Sequence, residues 1–163
     1  MVYPAGILVP LFRKLILNSY TMAKSIYPCL WFENEAKAAA DFYCSVFPNS
    51  RILNESPIVV NWEINGRKFM GLNGGAAKFK FNDSVSFVIP CEDQKEIDYY
   101  WEKLTTDGGK EGMCGWCVDK FGVSWQVVPT VLGELMSDPA RSQRVVQAFL
   151  KMKKFDIEAL RQA

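Results

Sequence analysis

Apolar and polar positions along the chain fall into two copies of one pattern. Residues 26–32 (Ile-Tyr-Pro-Cys-Leu-Trp-Phe) form a nearly unbroken apolar run, which predicts a buried strand. Residues 35–47 then place Ala39, Phe42, Tyr43 and Val46 on one stripe, which predicts an amphipathic helix. The pattern returns as a strand at 85–89 and a helix at 92–104. In this second copy Glu92 and Asp98-Tyr99-Tyr100 match Glu35 and Asp41-Phe42-Tyr43 position for position. Strand-like runs follow the first helix at 51–55, 58–64 and 67–73. The last two are joined by Asn65-Gly66, a strong hairpin signal because both residues tolerate positive φ. After the second helix, Asp107-Gly108-Gly109 closes the segment, and 114–118 and 123–128 form a hairpin around Asp119-Lys120-Phe121-Gly122. The order is βαβββ twice, over residues 25–75 and 84–129. This predicts an α+β fold in which two modules form one cup-shaped mixed sheet, within a single domain spanning 22–163. In the tail, 130–163, Asp138 reads as an N-cap with Pro139 at the first helical position. The helix it opens carries Val145, Val146, Phe149 and Leu150, and a last short helix starts at Asp156.

Strand alternation assigns faces. Across the two-residue turn, Val59, Asn61, Glu63, Lys68, Met70 and Leu72 share one side of the first hairpin, and Val60, Trp62, Ile64 and Phe69 the other. The second set is wholly apolar and belongs under a helix, so the first faces a concavity or water. If Gly122 is the left-handed residue of a three-residue loop, Trp116 pairs with Gln126 in the second hairpin. Cys114, Trp116, Val118, Ser124 and Gln126 then share a half-polar face.

Composition narrows the chemistry. The 163 residues carry 19 Lys plus Arg against 18 Asp plus Glu, a formal charge of +1, so no global field draws nucleic acid or an acidic lipid surface. With no histidine, the commonest metal ligand and every Ser-His or Cys-His nucleophile pair are absent. The five cysteines lie in apolar or strand-like runs and read as thiols of a cytoplasmic protein. Residues 1–21 read as an N-terminal extension, with a packed extra helix as the alternative. Their apolar run is broken by Arg13 and Lys14 well short of the roughly 20 residues of a membrane span.

Several positions admit two readings. Cys114-Gly115-Trp116-Cys117 spells a CxxC, yet on an extended strand the two side chains leave opposite faces with Cα atoms roughly 10 Å apart. Structural thiols are the expectation, with Cys114 as a pocket nucleophile or a redox or metal pair as alternatives. Glu63 and Lys68 are either an acid/base pair or a cross-strand ion pair. Trp62 is assigned to the core, whereas Trp116 fits either the core or a stacking platform. Ser86 and Gln126 either orient a ligand carbonyl or amide, or satisfy each other.

These elements, in this order, resemble a known family. Pro28-Cys29-Leu30-Trp31-Phe32, Asp41-Phe42-Tyr43, Phe69-Met70-Gly71-Leu72-Asn73-Gly74-Gly75, Cys114-Gly115-Trp116 and Ser124-Trp125-Gln126-Val127-Val128-Pro129 are similar to the PhnB-like branch of the vicinal oxygen chelate superfamily. That superfamily includes glyoxalase I, bleomycin-resistance proteins and extradiol dioxygenases, and the branch also carries a demethylubiquinone methyltransferase label. The resemblance implies a β-cup, often in a homodimer, with a divalent ion held by His and Glu in the metalloenzymes. The matching positions here are Pro28, Ser86, Met70 to Leu72 and Gln126, which are poor ligands. The expectation is therefore a protein without metal or other cofactor that binds a small, partly apolar molecule. Its site is expected at Asn61, Glu63, Met70, Leu72, Ser86, Cys114, Trp116 and Gln126. The alternative is an enzyme of lyase, isomerase, dioxygenase or methyltransferase type. No Gly-rich strand-to-helix turn of the Rossmann kind is present to hold a nucleotide-like methyl donor.

Overall fold

The computed structural model describes residues 25–76 and 80–163. The N-terminal extension expected at 1–21 lies outside the described residues. The duplicated topology is present. Strands β1 (Cys29–Phe32), β2 (Ser50–Glu55), β3 (Val59–Ile64) and β4 (Arg67–Asn73) form one sheet in the order β1-β4-β3-β2. Strands β5 (Ser86–Cys91), β6 (Lys110–Glu111), β7 (Trp116–Val118) and β8 (Ser124–Pro129) repeat it as β5-β8-β7-β6. In each sheet the first strand runs parallel to the last and the other pairs are antiparallel. The expected cup-shaped sheet is thus resolved into two four-stranded halves.

Local chemistry explains the elements. The β3–β4 hairpin turns at Asn65 and Gly66, both at positive φ (48° and 75°), as a two-residue turn requires. Helix α1 (Ala36–Val46) buries Ala36, Ala39, Ala40, Tyr43 and Val46 on one stripe, and Asn73 at the end of β4 caps it by accepting from the Ala36 N–H at 2.9 Å. Helix α2 (Gln94–Thr105) is capped by Asp93, which accepts from the Glu96 N–H at 2.9 Å, while the Glu96 carboxylate accepts from the Glu92 N–H at 2.7 Å. The tail contains one helix more than the sequence pattern indicated, α3 (Val131–Ser137). Regular helix α4 (Ser142–Phe149) begins only after a turn in which Asp138 accepts from the Ala140, Arg141 and Ser142 N–H groups. Helix α5 (Ile157–Gln162) starts at Asp156, as expected. The Gln94 side chain holds this tail, donating to the Phe155 carbonyl and accepting from the Ile157 N–H, both at 3.0 Å.

The modules meet through their helix-side surfaces. Val60, Trp62 and Phe69 are buried, as are Cys117, Trp125 and Val127 on the corresponding face of the second sheet. Between the modules, Phe69 meets Phe87 at 5.4 Å, Tyr43 meets Trp125 at 5.5 Å, and Phe47 lies between Tyr100 and Trp125. Asp119, in the β7–β8 turn and 2% exposed, ties this interior together. Its Oδ2 accepts from the Tyr43 hydroxyl at 2.9 Å and the Trp125 indole N–H at 2.8 Å, and its Oδ1 accepts from the Phe121 and Val123 N–H groups. Since side chains alternate along a strand, the faces bearing Asn61 and Met70 in one module and Trp116 and Gln126 in the other point away from this shared interior.

Burial, with the Asp119 carboxylate beside it, holds the Tyr43 hydroxyl well above its ordinary pKa of 10. The unfolded chain loses this proton near pH 10 while the folded chain keeps it. The stability that Tyr43 contributes is therefore complete below pH 10 and is lost as pH rises toward the folded value, at about 1.4 kcal/mol per pH unit. Urea unfolding between pH 9 and 11 is expected to show a shallower alkaline loss of stability for Tyr43→Phe than for the wild type. Parallel slopes for the two proteins would contradict this.

Candidate functional site

The face expected to bear the site exists in both sheets. Asn61 pairs with Met70, Glu63 with Lys68 and Val59 with Leu72, so these side chains share one face of the first module. Trp116 pairs with Gln126 in the register inferred from the sequence, and Ser86 lies on the parallel neighbour, opposite Ser124. Seven of the eight expected residues therefore fall on the expected faces, in two separate groups.

The eighth, Cys114, does not. It lies in a turn before β7 rather than on a strand, with φ 57° at Cys114 and 78° at Gly115. The tail imposes this turn, since the Cys114 and Gly115 N–H groups donate to the Met152 and Lys153 carbonyls, both at 2.7 Å. Its thiol is directed to the Phe149 carbonyl at 3.6 Å, while Cys117 is buried on the helix side. Burial pushes the Cys117 and Cys91 thiols up to about 12, which leaves both as inert thiols at neutral pH. All five cysteines are free.

Neither charged residue makes the expected partnership. Although Glu63 and Lys68 are cross-strand neighbours, Glu63 pairs with Arg51 at 3.4 Å, and the Lys68 ammonium lies over the Tyr27 ring at 4.2 Å. Ser86 and Gln126 satisfy each other, Gln126 Nε2 donating to Ser86 Oγ at 2.8 Å. Asn61 differs from the rest. It is 8% exposed; its amide nitrogen donates to Asn54 Oδ1 at 2.8 Å, and its own Oδ1 is buried without a donor. An unmet buried acceptor costs about 1–3 kcal/mol, so this oxygen is poised for an incoming N–H or O–H.

Two cavities of about 600 and 580 Å³ lie elsewhere, and none of the eight residues lines either one. The first separates the C-terminal end of α1 from α2, with Cys44, Lys95 and Tyr99 on its walls. The second lies where β1 meets the turn at 119–122, with Trp31, Phe32, Lys120 and Phe121 on its walls. Hydrophobic patterning missed both, because each is made by the meeting of segments remote in sequence. The exposed Lys120 within a turn was the one local signal for the second.

The 3-demethylubiquinone-9 3-methyltransferase family model matches residues 24–128. The chain belongs to this PhnB-like family. A PhnB protein from Bacillus cereus given the same methyltransferase description is 29% identical; the match covers 66% of this chain and all of that one, with a TM-score of 0.60. A protein from Pseudomonas aeruginosa (18% identical, covering 64% of this chain and 96% of that one, TM-score 0.53) shares the fold. So does a glyoxalase-related enzyme from Fulvimarina pelagi (15% identical, covering 67% and 90%, TM-score 0.51). No curated protein matches the chain. The chain thus has the fold of a glyoxalase-related enzyme.

The cofactors this membership suggests do not fit the residues present. At the positions that the resemblance matches to metal ligands, this PhnB-like chain has Pro28, a Ser86–Gln126 pair bonded to itself, and Met70 to Leu72. Among the described residues no cluster of three His, Cys, Asp or Glu side chains could hold an ion. The two strand-to-helix junctions carry Glu33-Asn34-Glu35 and Glu92-Asp93 instead of glycines, and the helix N–H groups there are already capped by Asn73 and Asp93. Such acidic, occupied junctions do not suit the phosphate or carboxylate groups of a nucleotide-like methyl donor. Metal analysis of the purified protein is expected to find no stoichiometric Zn, Mn or Fe, and chelator is expected to leave Tm within about 1 °C. An ion retained one-to-one through dialysis would contradict this reading.

Proposed function

We propose that this PhnB-like protein binds a small, partly apolar molecule without a metal of its own, using the sheet faces that carry Asn61, Met70 and Leu72 in one module and Trp116 and Gln126 in the other. The observation that carries the reading is the buried Asn61 Oδ1 with no donor, beside Met70 and Leu72. A ligand that donates one hydrogen bond and covers these apolar side chains would relieve the unmet acceptor. Glu63, half-buried and paired with Arg51, closes one end of this face.

The two faces point away from each other within one chain, so a closed cup requires a second copy that sets its Gln126 face against the Asn61 face of the first. Exposed apolar side chains on these sheets, Leu53 and Val88, are consistent with such a homodimer. The C-terminal stripe is a weaker candidate for that contact. Val145 is fully buried within its own chain and Phe149 lies 6.2 Å from Phe155, leaving Leu150 as the exposed member. Five free thiols suit a cytoplasmic location. No helix among the described residues is long and apolar enough to cross a membrane.

A thermal-shift screen of small partly apolar compounds tests the reading. A ligand present at 100 times its Kd stabilises the fold by about 2.7 kcal/mol, a readily measured rise in Tm. The rise is expected to vanish in Asn61→Leu, which keeps the volume and removes the acceptor. Ligands that shift wild type and Asn61→Leu equally, or a screen without hits alongside a measurable turnover, would contradict it.

A further inference from the structure

A second place for a ligand lies within one chain, independent of the sheet faces above. The cavity of about 580 Å³ between β1, Lys80-Phe81 and the β7–β8 turn falls in the size range of small-molecule sites. Its walls are aromatic. Phe32 meets Phe81 at 5.6 Å and Phe121 at 6.1 Å, both edge to face. The Trp31 indole donates to the Gly75 carbonyl at 3.0 Å and lies so close over Gly74 that a Cβ there would run into it. That contact fixes the angle of one wall.

The rim carries charges of both signs. The Lys120 ammonium sits 4.5 Å from the centre of the Phe42 ring and 5.7 Å from that of Phe121. Neither Lys120 nor the neighbouring Lys80 makes an ion pair with a carboxylate among the described residues. Glu33 and Glu35 line the same cavity and likewise have no cationic partner among the described residues. Two lysines and two glutamates therefore line one cavity with no ion pair between them. A plain anion would meet the glutamates and a plain cation the lysines. A ligand with one group of each sign and a flat apolar body meets all three features.

We infer that this cavity binds a small aromatic zwitterion of the α-amino acid type, its carboxylate toward Lys120, its ammonium toward Glu33 and Glu35, and its ring against Trp31 and Phe32. Isothermal titration calorimetry on the intact chain tests this with four probes: L-tryptophan, L-phenylalanine, 3-phenylpropionate, which lacks the ammonium, and phenethylamine, which lacks the carboxylate. The two amino acids are expected to bind. Each single-charge analogue is expected to bind about tenfold more weakly than L-phenylalanine. Lys120→Ala and the Glu33→Gln, Glu35→Gln double variant alter exposed side chains and are expected to weaken amino-acid binding by about tenfold with an unchanged Tm. Lys95→Ala, in the other cavity, is expected to leave it unchanged. The inference is overturned if neither amino acid binds up to its solubility limit, if 3-phenylpropionate binds as tightly as L-phenylalanine, or if the rim variants bind like wild type. Because no sheet-face residue enters the test, its outcome is separate from that of the Asn61 experiment.

Discussion

The Asp119 carboxylate accepts four hydrogen bonds in a setting that is 2% exposed, and its donors come from both halves of the chain. Moving a carboxylate out of water costs several kcal/mol, so the placement of the donors around it is tightly constrained. Tyr43 reaches it from helix α1 of the first module, while Trp125 and two turn N–H groups reach it from the second. Burial raises the Asp119 carboxyl above its usual value, against the lowering effect of these four donors. With this contact made, the helix sides of both modules turn inward and the Tyr43, Trp62, Trp125 and Phe47 rings close the core around it.

Everything outside that core follows from its orientation. The polar-lined sheet faces are turned outward in two directions, so within one chain they do not close on each other. The cavity at Trp31 and Lys120 is instead a product of the module contact itself, since the β7–β8 turn that presents Asp119 inward carries Lys120 and Phe121 to its edge. Duplication therefore supplied two similar sheets but dissimilar turns. The first module closes with the two-residue Asn65-Gly66 turn, and the second with a longer turn that both fastens the halves and shapes a cavity.

Within each module the sequence was readable because period-two alternation and turn chemistry are local. The pairing of Trp116 with Gln126 follows from Gly122, whose φ of 88° supplies the left-handed residue of the loop. The burial of Val60, Trp62 and Phe69 follows from their common apolar face. Alternation shows which face is apolar, however, and not what covers it. The choice between a cup within one chain and two outward faces is decided by Tyr43 reaching Asp119, 76 positions further along the chain. Cys114 was misplaced for the same reason. Its turn is held by carbonyls of Met152 and Lys153, which no local pattern announces. Glu63 and Lys68 were correctly paired in register, yet their charges were taken up by Arg51 and Tyr27 from adjoining segments.

The contact on which this architecture turns is measured most directly by a double-mutant cycle at equilibrium, using Tyr43→Phe, Asp119→Asn and the double variant. If the two side chains meet across the modules, as the 2.9 Å hydrogen bond requires, the two substitutions couple by about 1–3 kcal/mol. Additive effects within about 0.3 kcal/mol would mean that the modules are not joined through this carboxylate, and the account of inward helices and outward site faces would fail.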